Sequence, residues 1–555
     1  MTIHALTGAL NGRMNMMRLL GRYPRMLALV AVTMGAAACT DLTEVPYTEI
    51  TEDNFNPTPA DLAAMVGPVY TPLRATWMSW YGMVDWQGET ADMLLTPVRP
   101  NGWHDGGIYI QNHEHKWNAS SPGMPNTLWG NAFSGINAAN RVLYQIESGV
   151  LPLEGDTRTA VEAELKAMRA YYYSLLLDNF GNVPIQTDFT SRELPEQSSR
   201  QEVFDFVVNE LKAAMPNLSR EVGASTYGRM TFYAAAGILA RVYLNAQVYT
   251  GTPHWNDVLA WTDTIMSSQK YQLASTYSSV FSRNNHTSPE IIFAVPYDEI
   301  YGTGSNFHMK TLKPDLRFVF GMTVNPWGGS AANPQFIDTY DPDDGRLKDT
   351  WMMGPHFDSQ GRGYDFVQHV PRIDATQFHH GYPVKKYEIY QGMTGASDVD
   401  YPILRYAEVL MMRAEALLRS GDPDAAALLV TEVRQRNFTG AAAAKATVTG
   451  AQLLQGSAYN YGWYDTDGVV KTGPGGTPVT GGGDDIQYGR FLDELRWEFA
   501  AEGHDRQMLI RFGVFTTKTW FNHVPNAQLG DNAILFPIPQ SRLNTNEKLV
   551  QNPGY

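Results

Sequence analysis

The chain has 555 residues, a single cysteine, 12% aromatic residues and a formal net charge of −15. Such an acidic balance argues against nucleic acid as a partner, because Lys and Arg neutralising phosphates dominate that affinity. One cysteine excludes an intramolecular disulfide, so core packing must stabilise the fold, and a chain this long has ample apolar material for it.

Arg13, Arg18, Arg22 and Arg25 precede an apolar run from Met26 to Ala38, with no acid among them, and Cys39 follows directly. This is the charged, apolar, small-residue order of an export signal. The run of about 13 residues is too short for a bilayer, which needs roughly 20. A cysteine after Ala36-Ala37-Ala38 resembles a bacterial lipobox, with Ala36 where Leu is usual. The expectation is a signal peptide over 1–38, a lipid on Cys39 and a mature charge of −19 after loss of four arginines. Lipid would then hold the chain to a membrane.

Residues 39–60 are polar with three prolines and read as a lipidated tether. The remaining residues, 61–555, are expected to form one mainly α domain. Its first part, 61–290, reads as mainly tetratricopeptide-like helical hairpins, and 291–555 as loop-rich with C-terminal helices. Helical spacing covers 61–76. Residues 77–130 hold six tryptophans among Gly, Pro and Asn with little 3.6-residue period, which predicts an ordered, loop-rich insertion. Helices are predicted over 131–147, 157–179, 200–215, 229–249 and 255–268, where apolar residues recur at i, i+3 and i+4. Helix pairs with small residues at the crossing resemble tetratricopeptide repeats. Glu290 to Pro296 reads as a strand, 300–395 as loops, and 402–419, 424–437 and 487–503 as helices. Thr472 to Gly483 reads as a surface loop, and the chain ends extended.

Several segments together resemble the SusD/RagB family of outer-membrane nutrient-binding lipoproteins. They are Cys39-Thr-Asp-Leu with Thr51-Glu-Asp-Asn-Phe, and the helix from Arg229 to Asn245 with Tyr271-Gln-Leu, Phe281 and Glu290-Ile-Ile-Phe. They continue with Ile403-Leu-Arg-Tyr-Ala-Glu-Val-Leu-Met-Met-Arg-Ala-Glu-Ala and Val433-Arg-Gln-Arg. Leu492-Asp-Glu-Leu-Arg-Trp-Glu-Phe-Ala-Ala-Glu-Gly-His then precedes Leu509-Ile-Arg-Phe-Gly, and the end carries Leu535-Phe-Pro-Ile-Pro and Asn552-Pro-Gly-Tyr. Leu495 departs from the pattern, which often has Arg there. The resemblance implies a SusD-like fold on the outer face of the outer membrane. It also implies capture of oligosaccharide or other nutrient for a SusC-like TonB-dependent transporter, with no catalysis and no cofactor. Peptide cargo is the alternative reading; a helical glycoside hydrolase is a more remote one.

Sugars lay apolar C–H faces on aromatic rings while Asp, Asn and Arg hydrogen-bond their hydroxyls. Arg99, Asn101, Trp103 and Asp105 supply those parts within one short glycine-rich segment, so they are the first candidate glycan site. A buried pin holding the loop is the competing role for Trp103. Trp327 is the second candidate, on a later loop where the resemblance implies a further stacking platform, with Tyr301 a weaker companion. Trp77, Trp80, Tyr81 and Trp86 read as core by their spacing. Glu494, Glu498 and Glu502, with Arg496 and Arg506 nearby, read as a structural ion-pair network, because one helix face cannot place two carboxylates across a sugar. The Arg, Tyr and Glu residues of 405–415 are expected to do the same. His113 and His115 lack a third ligand, and the Asp341–Gly345 turn lacks the spacing of a calcium loop, so no metal is expected.

Overall fold

The structure, a computed structural model, describes residues 57–100, 103–298, 304–462, 465–466, 469–470 and 482–555. The expected signal peptide, Cys39 and most of the tether lie outside the described residues, as does most of the Thr472–Gly483 loop.

The principal helices are α1 (Pro59–Trp77), α2 (Met83–Thr90), α3 (Ile108–His113), α4 (Met124–Glu147), α5 (Gly155–Phe180), α6 (Arg200–Ala214) and α7 (Phe232–Leu244). They continue as α8 (Trp255–Met266), α9 (Phe307–Thr311), α10 (Gly345–Thr350), α11 (Tyr406–Arg419), α12 (Pro423–Gln435), α13 (Gly489–Glu498) and α14 (Asp505–Arg511). Polar caps set several starts. Thr58 and Asp61 form a capping box at α1, and Ser199 and Glu202 form one at α6. Each box satisfies backbone N–H groups that the first helical turn leaves without partners. Helices pack as successive hairpins, α4 on α5, α5 on α6, α7 on α8 and α11 on α12, while α8 also packs on α11. Ala234, Ala235, Ala236 and Ala240 of α7 are fully buried, which lets its neighbours approach closely. Among the described residues no helix is long and apolar enough to cross a membrane.

The strands are short antiparallel pairs. β1 (Leu94–Leu95) pairs with β5 (Ala331–Ala332), β2 (Val183–Pro184) with β3 (Gln197–Ser198), and β6 (Gly354–Phe357) with β7 (Gly363–Phe366). β4 (Ile291–Val295) pairs with β8 (Tyr401–Arg405), every residue of both being buried. Residues 402–405, read as the start of a helix, are therefore strand. The helix starts only at Tyr406, because Ile403 and Leu404 fill a buried sheet position opposite β4. The predicted helix over 229–249 begins at Phe232 and breaks at Asn245, whose side-chain amide donates to the Arg241 carbonyl at 2.9 Å. The one predicted over 487–503 stops at Glu498. Ala501 and Gly503 then take left-handed backbone angles before α14.

That break matters because Glu502 leaves the α13 face yet joins the same charge network. Arg405 bonds Glu290 at 2.9 Å, Glu498 at 2.8 Å and Glu502 at 2.7 Å. Arg436 bonds Glu498 at 2.6 Å and also reaches Glu290. Arg346 of α10 bonds Asp344 at 2.7 Å and Glu498 at 3.2 Å, Arg434 bonds Glu494 at 2.5 Å, and Lys386 bonds Glu502 at 2.5 Å. All of these side chains are buried. The expected network is present, with different cations. Arg496 pairs with Asp505 at 2.9 Å, and Arg506 donates to the Ile534 carbonyl between Phe515 and Phe536. Within 405–415, Glu408 pairs with Arg241 at 2.7 Å, and Glu415 with Arg511 at 2.7 Å and Arg419 at 2.9 Å.

Removing one partner of a buried ion pair leaves an uncompensated charge and costs about 3–5 kcal/mol. Glu498→Gln, which leaves three arginines facing a neutral amide, should destabilise the fold by that order in denaturant titration. Burial opposes ionisation of Glu498, but Arg436, Arg405 and Arg346 overcome it and hold the carboxyl well below its ordinary 4.5. Its contribution is therefore full above pH 4.5 and is lost as pH falls toward the depressed value. The stability gap between wild type and Glu498→Gln should shrink as pH drops below that point. A gap independent of pH would contradict the assignment.

Candidate functional site

Three segments far apart in sequence bring tryptophans together. α1 ends at Trp77, and the chain turns sharply through Trp80, Tyr81 and Gly82. A Cβ at Gly82 would lie 2.5 Å from the Trp77 carbonyl oxygen, so only glycine permits the turn. The Trp80 N–H donates to the side chain of Asn306, the residue just before α9, at 2.8 Å. The Trp327 loop is stitched to α9 as well, with Trp327 N–H donating to the Met309 carbonyl at 2.6 Å and Gly329 N–H to the Lys310 carbonyl at 2.8 Å. Trp103 N–H in turn donates to the Trp327 carbonyl at 2.9 Å. The three ring pairs lie 5.6 Å (Trp80–Trp103), 5.8 Å (Trp80–Trp327) and 5.5 Å (Trp103–Trp327) apart. They are tilted by 51° to 77° to one another, so they form facets rather than one plane.

Trp80 is 42% exposed, and Trp103 and Trp327 are half-buried. Trp80 is thus a correction to its expected place in the core; Trp77 and Trp86, at 2% and 1% exposure, do lie there. Trp80 stands beyond the helix end, where helical spacing no longer decides which way a side chain points. Trp327 packs its inner side on the Met309, Leu312 and Leu316 cluster, and Trp103 rests 5.5 Å from the Tyr109 ring.

A buried charge cluster supports this floor. Lys310 of α9 bonds Glu89 at 2.8 Å and Asp85 of α2, and its ammonium lies 3.6 Å from the Tyr109 ring centroid. Tyr109 O–H donates to Asp85 at 2.8 Å, and Thr96 donates to Glu89. Burial pushes the Asp85 carboxyl up to about 6 against the pull of Lys310. The cluster ties α2, α3 and α9 together beneath the tryptophans. The composition of residues 77–130 did not signal it, because Lys310 lies more than two hundred residues away in sequence.

Asp105 is half-buried beside the patch and accepts a hydrogen bond from Tyr81 O–H. Burial and this carboxylate push the Tyr81 phenol up. Asp105, Gly106 and Gly107 have φ of 48°, 65° and 85°, a left-handed run that turns the loop into α3. Arg99 has a different position from the one expected. It is 5% exposed, donates to the Gln377 carbonyl at 2.6 Å, and burial lowers its guanidinium to about 9. Together with Lys313, which donates to the His380 and Gly381 carbonyls at 2.9 Å, it clamps a neighbouring loop rather than presenting donors to solvent. Asn101 and Tyr301 lie outside the described residues.

The remaining polar motifs are engaged internally. His113 and His115 are buried, their Nε2 atoms donating to the Phe521 and Thr90 carbonyls at 2.5 and 2.8 Å, and burial lowers His115 to about 3. Asp341 and Asp343 share the Lys445 ammonium at 2.8 and 2.7 Å, while Asp344 caps α10. Among the described residues no group of three His, Cys, Asp or Glu could hold a metal ion. The arrangement at the tryptophans can hold an apolar ring face and accept hydrogen bonds from neighbouring hydroxyls.

Comparison with known proteins agrees with this architecture. A family model described as SusD family matches residues 289–555, and one described as starch-binding associating with outer membrane matches residues 47–244. The chain is 25% identical over 453 residues to the starch-binding protein SusD of Bacteroides thetaiotaomicron, covering 71% of this chain and 72% of that one. It is 23% identical to the SusD-like protein P25 of Formosa agariphila over 77% and 79% of the two chains. Among solved structures, a SusD superfamily protein from Parabacteroides distasonis has a TM-score of 0.67 at 18% identity, over 90% of this chain and all of that one. Surface glycan-binding protein A of Bacteroides thetaiotaomicron, in complex with laminarihexaose, has a TM-score of 0.64 at 18% identity, over 89% and 99%. With two family models in chain order over a helical-hairpin fold shared with those structures, the chain belongs to the SusD/RagB family.

Proposed function

We propose that this protein is a lipid-anchored binding protein on the outer face of the outer membrane. It captures a glycan on Trp80, Trp103 and Trp327 and passes it to a SusC-like TonB-dependent transporter. The observation that carries the reading is the convergence of three solvent-reaching indoles from separate segments onto one supported floor. Sugar C–H faces stack on such rings, and the Asp105 carboxylate supplies an acceptor for hydroxyl groups. The names of relatives support a glycan as the cargo, since one is a starch-binding protein and one neighbour was solved with laminarihexaose. The mechanism is passive capture and hand-over, without bond cleavage. An open, shallow site buries little ligand area, so affinity per site is weak.

Calorimetry with a panel that includes laminarin and starch oligosaccharides tests the reading. One glycan should bind the wild type, and Trp103→Ala, Trp327→Ala and Trp80→Ala should each weaken it about tenfold, the scale of a lost stacking contact. Unchanged affinity in all three variants, with circular dichroism showing an intact fold, would remove the patch from the function. The anchor is tested separately. Cys39→Ser should move the protein from the membrane fraction to the soluble fraction of the producing cells, and membrane retention of that variant would sink the lipid assignment.

A further inference from the structure

A face of α4 carries a groove built from none of the tryptophan-patch residues. Gly130, Phe133, Ser134, Asn137 and Arg141 recur at helical spacing and so share one stripe. Phe189, from the loop between β2 and β3, and Arg542, near the C-terminus, complete the groove, whose volume is about 610 Å³. Tyr144 continues the stripe and meets the Phe189 ring at 5.9 Å; the two are 41% and 44% exposed. These two touching rings extend the apolar lining of the groove into solvent.

The charge of this groove runs against that of the chain. Acids outnumber bases 57 to 42 overall, yet the charged side chains lining the groove are two arginines. Both are exposed, and neither forms an ion pair among the described residues. The Arg542 guanidinium lies against the bare backbone of Gly130, 3.6 Å from where a Cβ would stand, which leaves its fork beside the groove. An arginine fork matches a planar carboxylate in two parallel hydrogen bonds. Phe133 and Phe189 offer faces for a sugar ring, and Ser134 and Asn137 offer partners for its hydroxyls.

We propose that this groove is a second saccharide site, selective for acidic glycan chains, with Arg141 and Arg542 binding uronate carboxylates. Pro68 of α1 borders the groove, and about 14 Å of helix separates it from Trp77, next to the tryptophan patch.

The purified protein is titrated with oligogalacturonate at low and high salt, with a neutral glucan oligosaccharide and polyglutamate as comparison probes. The expected result is oligogalacturonate binding that weakens with salt and falls about tenfold or more in Arg141→Ala/Arg542→Ala. The same binding should survive in Trp103→Ala/Trp327→Ala, and the arginine variant should leave neutral-glucan affinity unchanged. The last two arms separate failure of this site from failure of the tryptophan patch. No oligogalacturonate binding, or binding indifferent to the two arginines, would overturn the proposal. Binding of polyglutamate alone would overturn it in favour of an acidic peptide partner.

Discussion

The interaction on which the rest of this molecule depends is the buried ion network centred on Arg405, Glu498 and Glu502. Its members come from β8, α10, α13, the end of α12, the start of β4 and the connecting loops, so one cluster fixes the relative positions of elements spread over 290–502. Charges this deep are unfavourable alone and tolerable only when every partner is in place. The network thus penalises any arrangement in which one element is displaced. The Lys310, Asp85 and Glu89 cluster applies the same logic to α2, α3 and α9, the elements that border the tryptophan loops.

This gives the proposed binding surface a division of labour. The exposed facets are aromatic, while backbone hydrogen bonds to α9 and the charged pins beneath hold the loops that carry them. A glycan site that buries little area gains affinity chiefly from being preorganised. Arg99 fits that scheme. Expected as a ligand donor, it spends its hydrogen bonds on backbone carbonyls of the neighbouring loop.

Much of the fold was legible because helices announce themselves locally. The apolar periods of α5, α6 and α8 carry over to the structure nearly end to end, while α4 begins at Met124, inside the stretch read as a loop-rich insertion. What failed were the segments whose conformation is set from far away. Residues 402–405 run into the apolar period of α11 but are strand, paired with a segment more than a hundred residues earlier, and Glu502 leaves its helix to reach Lys386. The Trp103 loop was legible as a candidate from its composition, and the Trp327 loop from the family resemblance. Their meeting with Trp80 was not, because it depends on Asn306 and the α9 backbone. The ion network was legible in kind from Glu494, Glu498 and Glu502 and from Arg405, but the pairing between these segments and the parts of Arg346, Lys386 and Arg436 were not.

The most direct test is a crystal structure of the protein with the best-binding oligosaccharide from the panel, beginning with laminarihexaose. The account predicts sugar rings stacked on at least two of Trp80, Trp103 and Trp327, with a hydroxyl group bonded to Asp105 and the tryptophan loops unmoved. Density for the oligosaccharide elsewhere on the surface, with the three indoles facing solvent, would contradict it.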